Sequence, residues 1–416
     1  MSVRDVIVVG GGLAGLACAR TLVQGGASIT VLEAGESVGG RVQTDRLEGF
    51  LLDRGFQVFL TAYPEAQKVL DMGTLKFQAF YPGAKVFRGG RFHRLADPWR
   101  HPLQAVSTLL NPIGSPVDKV RVARLRSQAL RGSLQDLFAR PQESSRDRLR
   151  RLGFSDGMVD AFFRPFFAGI FLEKELTTSS RMLEFVFRMM SSGSIALPMG
   201  GMGSVPKQLA SQLPAGSIRL KTSVARVHPQ AVELENGERL AAGSVVVATD
   251  GTTAAKLVPE IQVPGTCATT CLYFAADSAP LTGPYLLLNG TGAGVVNSVV
   301  ALSEVASSYA PQGQVLMSVS LIGAHPKASI EAVVRKELAA WFGQATLSGW
   351  RHLRTYVIEH ALPSQPPSAF DPAERPVRMH NGVFVCGDHR DNGSIQGALV
   401  SGRRTAEAVL ATPRLG

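Results

Sequence analysis

The stretch VIVVGGGLAGLACARTL, Val6 to Leu22, limits the possible fold more than any other part of the chain. Its β-branched, apolar opening suits a strand buried in a parallel sheet. Three glycines follow as Gly10-x-Gly12-x-x-Gly15, then a run of helix formers and small residues that Gly25 and Gly26 end. A second strand, SITVLEA, closes on Glu33, 23 residues after Gly10. Each part has a mechanical role. Gly10 permits a tight turn, Gly12 lets backbone N–H groups approach a pyrophosphate, and Gly15 lets helix and strand pack closely. The helix start at Leu13 and Ala14 turns its positive end toward phosphates. Glu33, followed by Ala34, can accept ribose hydroxyls and would repel a 2′-phosphate. The pattern predicts an α/β domain for an adenine dinucleotide with a free 2′-hydroxyl, and leaves NAD and FAD unseparated.

Three later stretches favour FAD. In EAGESVGGRVQT, Gly39 and Gly40 give backbone freedom and Arg41 offers planar donors to a phosphate or ring edge. SVARVHPQAVELENGERLAAGSVVVATD reads as strand, turn at Asn236-Gly237, strand, and a buried strand ending near Ala248 and Thr249. Val224 there is a candidate for backbone contact with adenine. In GVFVCGDHRDNGSIQGALVSGRRTAEAVL, a buried strand ends at Gly387-Asp388 and a helix begins near Ser394. Asp388 can hold ribityl hydroxyls. The helix start can aim its dipole at the N1/O2 edge of an isoalloxazine, where negative charge settles on reduction.

These stretches resemble the FAD-dependent superfamily of amine oxidases, protoporphyrinogen oxidases and phytoene desaturases. In such proteins the N-terminal glycines, the GGR, a mid-chain valine and the C-terminal GD…GA wrap one FAD. The resemblance implies contacts at Gly10, Gly12, Ala14, Glu33, Gly40, Arg41, Val224, Asp388 and the run Ile395, Gln396, Gly397 and Ala398. LLDRGFQVF matches only in part, with Gly55 and Phe56 where the family often has a glycine pair near the flavin. The expected architecture is a Rossmann-like FAD-binding domain of the GR2 type (1–59, 199–256 and 373–416) interleaved with an α+β substrate domain (60–198 and 257–372).

On the substrate side, FFRPFFAGIFLEKEL and EFVFRMM can line an apolar pocket or form core, and core is favoured for most of these rings. LPMGGMGSVPKQLA resembles the GGM element of the desaturases and porphyrinogen oxidases, passing close to the flavin or turning back into the FAD domain. TCATTCLYFAA and GQVLMSVSL read as strands of a floor above the flavin. Related amine oxidases commonly place a lysine there; Thr269, Thr270 and Leu272 supply none. A paired-tyrosine cage also lacks its second ring, since only Tyr356 is visible. Tyr356 and His360 are the polar candidates for a proton role, with a structural role as the plainer alternative. Cys386 apart, no cysteine follows Cys271, so the resemblance implies non-covalent FAD.

The sequence thus points to an FAD-dependent oxidoreductase passing a hydride from a bulky lipophilic substrate, an isoprenoid or polyene for example, to flavin N5. A peroxide-producing amine oxidase and a redox-neutral isomerase or binding protein are the alternatives. The four cysteines give no disulfide framework, and the eight scattered histidines suggest no metal site. No apolar run is long enough to span a membrane, and MSVRD leads straight into a strand without an export signal, so a soluble cytoplasmic protein is expected. Of the net charge of +10, residues 88–151 supply +9, from fourteen Arg or Lys against five Asp or Glu. Within it, Val117 to Arg140 interleaves basic and apolar residues at helical spacing, which suits a peripheral anionic membrane surface or an ordinary solvated helix. Nucleic acid is not expected, because no reader module is present.

Overall fold

The computed structural model describes residues 5–104, 111–262, 265–372 and 374–413. Residues 1–4, ahead of the first strand, and 105–110 of the basic stretch lie outside the described residues. A five-stranded parallel sheet runs in the order Ile218–Arg219, Ser28–Leu32, Asp5–Val9, Ser244–Val247, Phe384–Val385. Its strands come from three separated stretches of chain. Alternation fixes the layers. Val6 and Val8 face the helices Leu13–Gln24 and Ile395–Ala411, whereas Ile7 and Val9 face Val232 and Leu234 of a three-stranded antiparallel sheet. That smaller sheet holds Val224–His228, Ala231–Leu234 and Arg239–Ala241, so the segment turns at Pro229-Gln230 as well as at Asn236-Gly237.

The second large element is a seven-stranded sheet in the order Arg351–Pro363, Thr266–Ala276, Val315–Ile322, Val296–Ala301, Leu286–Asn289, Gly83–Arg88, Arg91–Ala96. Only Leu286–Asn289 with Gly83–Arg88 pairs in parallel. Its outer face packs on the helix Lys327–Phe342 through Leu272, Phe274, Val319 and Leu321. Its inner face carries Cys271, Tyr273 and Ala275 against Phe50–Leu52 and Tyr309. Leu272 therefore points away from the cofactor side, a correction to the floor expected from sequence.

The helical part holds the aromatic stretch as core: Phe163, Phe167 and Phe171 are buried, while Phe162 and Phe166 pack at its edge. The basic segment is two helices rather than one. Pro116–Leu130 ends at Arg131 in extended conformation, Gly132 follows at φ +71°, and Ser133 caps Leu134–Ala139. Part of its charge is neutralised internally, since buried Glu184 receives both Arg140 and Arg148. Among the described residues, no helix is long and apolar enough to cross a membrane, and no group of three or more His, Cys, Asp or Glu could hold a metal ion.

Candidate active site

The turn after the first strand is shaped by close approach. A Cβ on Gly15 would lie 2.0 Å from the Gly10 carbonyl oxygen, and one on Gly10 would lie 2.8 Å from that of Ala248. Neither clash can be relieved without moving backbone. Gly12, in contrast, is the N-cap of Leu13–Gln24, carries no capping side chain, and its Cβ position meets nothing within 4 Å. Leu13 and Ala14 have buried side chains, so what they can offer a ligand is backbone N–H at the helix start.

Glu33 is fixed beside this opening. Its Oε2 accepts the Gly11 N–H and its Oε1 the Gly35 N–H, each at 2.7 Å. Each oxygen keeps further accepting capacity for a ribose hydroxyl. Ala34 is exposed next to it. Gly39 donates to the Gly11 carbonyl at 2.8 Å and bridges to Gly12, while Gly40 lies against Gly12. The Thr222 N–H donates to the Glu33 carbonyl at 2.9 Å, which brings Val224 to the same end of the sheet.

Arg41 links this end to the C-terminal segment. Its Nη2 is 2.7 Å from Asp388 Oδ1, and its Nη1 donates to the Ala361 carbonyl at 3.0 Å. Burial pulls the guanidinium down, but Asp388 and Asp250 more than offset it and leave its pKa above the ordinary value. Ala361 reaches Arg41 because the strand Arg351–Pro363 is irregular there: Cys267 faces Leu362 and Thr269 faces Ile358, two residues against four. Arg41, Asp250, Asp388, Thr266 and His360 line a small cavity of about 10 Å³.

At the other crossing, the Gly387 N–H donates to Ser401 Oγ at 3.1 Å, with the Thr249 carbonyl behind the turn. Ser394 caps Ile395–Ala411 by accepting the Gly397 N–H at 3.0 Å. A Cβ on Gly397 would stand 2.0 Å from the Asn392 carbonyl oxygen. Gln396 is turned inward and accepts the Glu65 N–H at 3.0 Å, so its side chain orients the helix Pro64–Val69 rather than projecting to a ligand. Ile395 and Ala398 pack against the core.

Two buried side chains here carry polar atoms without a hydrogen-bond partner among the described residues. Both ring nitrogens of His389, and Nε2 of Gln365, make no hydrogen bond among the described residues. Burial, with Arg390, Arg41 and Arg375 nearby and Asp388 opposing them, holds His389 down at about 4. It is therefore neutral near pH 7 and presents one donor and one acceptor. Gln365 is clamped through its Oε1, which accepts the Gly393 N–H at 2.7 Å beside the last helix. An unsatisfied buried donor is costly. The open helix start at Gly12, the carboxylate Glu33 and these orphaned groups together fit a long, polar, phosphate-bearing cofactor.

The two residues proposed for proton transfer do not stand together. They lie about 13 Å apart along one strand at the usual rise. The Tyr356 hydroxyl donates to Asp45 Oδ2 at 2.7 Å, beside Arg354 and Arg54. Burial and Asp45 push it up to about 12. His360 is exposed, with Nδ1 at 2.8 Å from the Thr266 hydroxyl. Gly55 sits at φ +88° against Ile358 and Thr269, and Phe56 packs edge-on to Phe80 at 6.4 Å.

The sequence pattern of the flavin containing amine oxidoreductases matches residues 13–410. The chain belongs to that family. It is an FAD-dependent oxidoreductase. A coproporphyrinogen III oxidase of Propionibacterium freudenreichii subsp. freudenreichii is 26% identical over 385 residues, 76% of this chain and 72% of the relative. A putrescine oxidase of Kocuria rosea is 40% identical over only 85 residues, 20% of this chain and 18% of the relative. In fold, the chain is similar to a putative protoporphyrinogen oxidase from Exiguobacterium sp. 255-15, with TM-score 0.74 and 18% identity over 99% of each chain.

Sequence reasoning missed three residues of this flavin enzyme. His389 directly follows the Gly387-Asp388 pair and was findable by position. Gln365 sits two residues beyond the end of the long strand, with no local pattern to mark it. Asp53 is 2% exposed and gathers distant groups. Its Oδ1 accepts the Thr44 hydroxyl at 2.5 Å and the Met202 N–H at 2.9 Å, and its Oδ2 accepts the Tyr309 hydroxyl at 2.9 Å. The GGM element is thereby docked, leading through the helix Ser204–Ala210 back into the parallel sheet.

Proposed function

We propose that this oxidoreductase takes a hydride from a bulky, lipophilic substrate and is not built for a small amine. The observation that carries this reading is the inner face of the strand Thr266–Ala276. Next to Gly55 it presents Thr269, with Cys271 and Tyr273 buried beyond it against Phe50–Leu52 and Tyr309, and it carries no cation. The Thr269 hydroxyl donates to the Leu321 carbonyl at 2.9 Å, and the Tyr273 hydroxyl to the Asp53 carbonyl at 2.8 Å. Tyr356 gives its proton to Asp45. These polar groups are committed to the protein, which leaves shape and apolar contact to select the substrate.

FAD, when bound, supplies the acceptor for two electrons. The chain's own part is positional. Gly12 and the helix start would hold phosphate, Glu33 ribose, and Asp388 and Arg41 the middle of the nucleotide. The Ser394-capped helix would offer its positive end to the ring edge on which reduction deposits negative charge. Phe56 packs edge-on to Phe80, and Ile358 lies against Gly55, so the surroundings of that glycine are apolar.

Anaerobic mixing with a polyene, a porphyrinogen and a panel of amines tests this reading through loss of flavin absorbance. Bleaching by a lipophilic compound and none by the amines is expected. Rapid bleaching by a small amine, with peroxide on admitting air, would overturn it.

A further inference from the structure

One cavity of the molecule lies away from the flavin end. An open cavity of about 660 Å³ lies between the turn of the hairpin Gly83–Ala96 and the loop leading into Pro116–Leu130. Arg88, Arg91 and His93 line one side, and Ser115, Ser155 and Gly157 the other; none of its lining residues is acidic. The hairpin's outer strand is the far edge of the seven-stranded sheet from Arg351–Pro363. Six steps between strands separate the two edges, roughly 29 Å, so this site is not part of the flavin site.

We propose that this end of the molecule docks on an anionic membrane, with a lipid phosphate held in the cavity by Arg88 and Arg91. The proposal is independent of which substrate the enzyme oxidises. Three observations carry it. First, the cavity is cationic, and guanidinium groups match phosphate geometry. The buried Asp118 beneath it is already occupied, accepting from Ser115 and Ser155 through both backbone and hydroxyl groups. Second, apolar side chains stand exposed on the same stretch of chain, from the loop after the hairpin to the helix that follows the cavity. Trp99, Leu103, Val117, Val120 and Leu130 are all exposed, Leu103 by 96% and Val120 by 67%. Single exposed apolar residues are ordinary, but a group of them among arginines is the signature of an interfacial surface. On Pro116–Leu130 the exposed residues Val117, Val120, Arg124 and Leu130 fall along one side.

Third, these pieces form one continuous surface. Asn111 Nδ2 donates to the Arg94 carbonyl at 2.8 Å, and Lys119 Nζ donates to the Asn111 carbonyl at 2.6 Å. The Arg126 guanidinium lies 4.8 Å from the centre of the Trp99 ring. Hairpin, loop and helix are thereby tied edge to edge. Charge supplies attraction from a distance, and the apolar residues supply contact once the surface is reached.

The test is sedimentation of the FAD-loaded protein with phosphatidylcholine vesicles, with and without phosphatidylglycerol. Binding only to the phosphatidylglycerol vesicles, weakened by salt, is expected. Each arginine near an anionic surface contributes about fivefold in partitioning, so Arg88→Glu with Arg91→Glu should lower binding by at least about twentyfold. Val117→Ser with Val120→Ser should also lower it, by a smaller factor. Flavin content and melting temperature report that both variants remain folded. Absence of binding to phosphatidylglycerol vesicles overturns the proposal. So does binding that the valine changes leave untouched and that inorganic phosphate displaces at fixed ionic strength, because the cavity would then be a site for free phosphate.

Discussion

Glu33 and Asp53 are both carboxylates at the end of a short strand, and both accept backbone N–H groups. Glu33 takes one N–H on each oxygen and remains partly open. Asp53 is closed off, with Thr44, Met202 and Tyr309 filling its oxygens. The first is held in orientation but left with capacity, which suits a ligand. The second spends its capacity joining segments far apart in the chain. Burial pushes Asp53 up to about 6 against the pull of those hydrogen bonds. The same side-chain chemistry is thus left open at one end and spent on assembly at the other, and exposure separates the two.

The sharpest way to break this contrast is at the turn beneath Glu33. Gly15→Ala places a methyl 2.0 Å from the Gly10 carbonyl oxygen, and overpacking of that kind costs about 1–3 kcal/mol or more. We expect a colourless protein of lowered melting temperature, measured by flavin absorbance and calorimetry. Glu33→Arg comes next. Loss of the ribose-holding carboxylate removes about 3 kcal/mol of charge-assisted bonding, so the dissociation constant for FAD should rise about a hundredfold. Asp53→Asn should affect FAD affinity far less, and an equal loss in both variants would show that the two carboxylates are not divided in this way.

Asp53 has its own signature in pH. Its pKa in the folded chain lies above the ordinary carboxylate value of 3.8, at about 6. Its contribution to stability is thus complete below about pH 4 and is lost as pH rises through 6. Two units correspond to about 3 kcal/mol. Denaturant unfolding at pH 4 and pH 7 should show stability shifting in favour of Asp53→Asn, relative to the parent, by about that amount. The smallest effect is expected for Tyr356→Phe. Losing the bond to Asp45 costs about 1 kcal/mol, and the rate of flavin reduction should stay within a few-fold. A collapse of that rate would restore Tyr356 to a proton-transfer role.

Legibility in the sequence followed the same division. The glycine turn and the two helix starts were readable because their requirements are local. Gly10, Gly12 and Gly15 act within one turn, Glu33 lies one helix away, and Ser394 caps the helix that directly follows it. The Asp53 assembly was not, because its partners Met202, Tyr273 and Tyr309 are 149 to 256 residues distant, and no periodicity in LLDRGFQVF records them. The break at Gly132 was hidden by continuing apolar spacing on either side. Leu272 was misplaced because a strand with both faces covered shows no alternation of polar and apolar residues. Gln396 matched its motif, yet its side chain serves packing, which a motif cannot reveal.

Ile395–Ala411 crosses Leu13–Gln24 where a Cβ on Gly402 would stand 2.2 Å from the Ala14 carbonyl oxygen. The helix that follows the glycine turn is thus braced by one made almost 400 residues later. During synthesis, the N-terminal turn leaves the ribosome long before its brace exists. A flavin gripped by both helices would be captured late in the life of each molecule, and the yellow colour of a preparation would then record that the distant ends of the polypeptide have met.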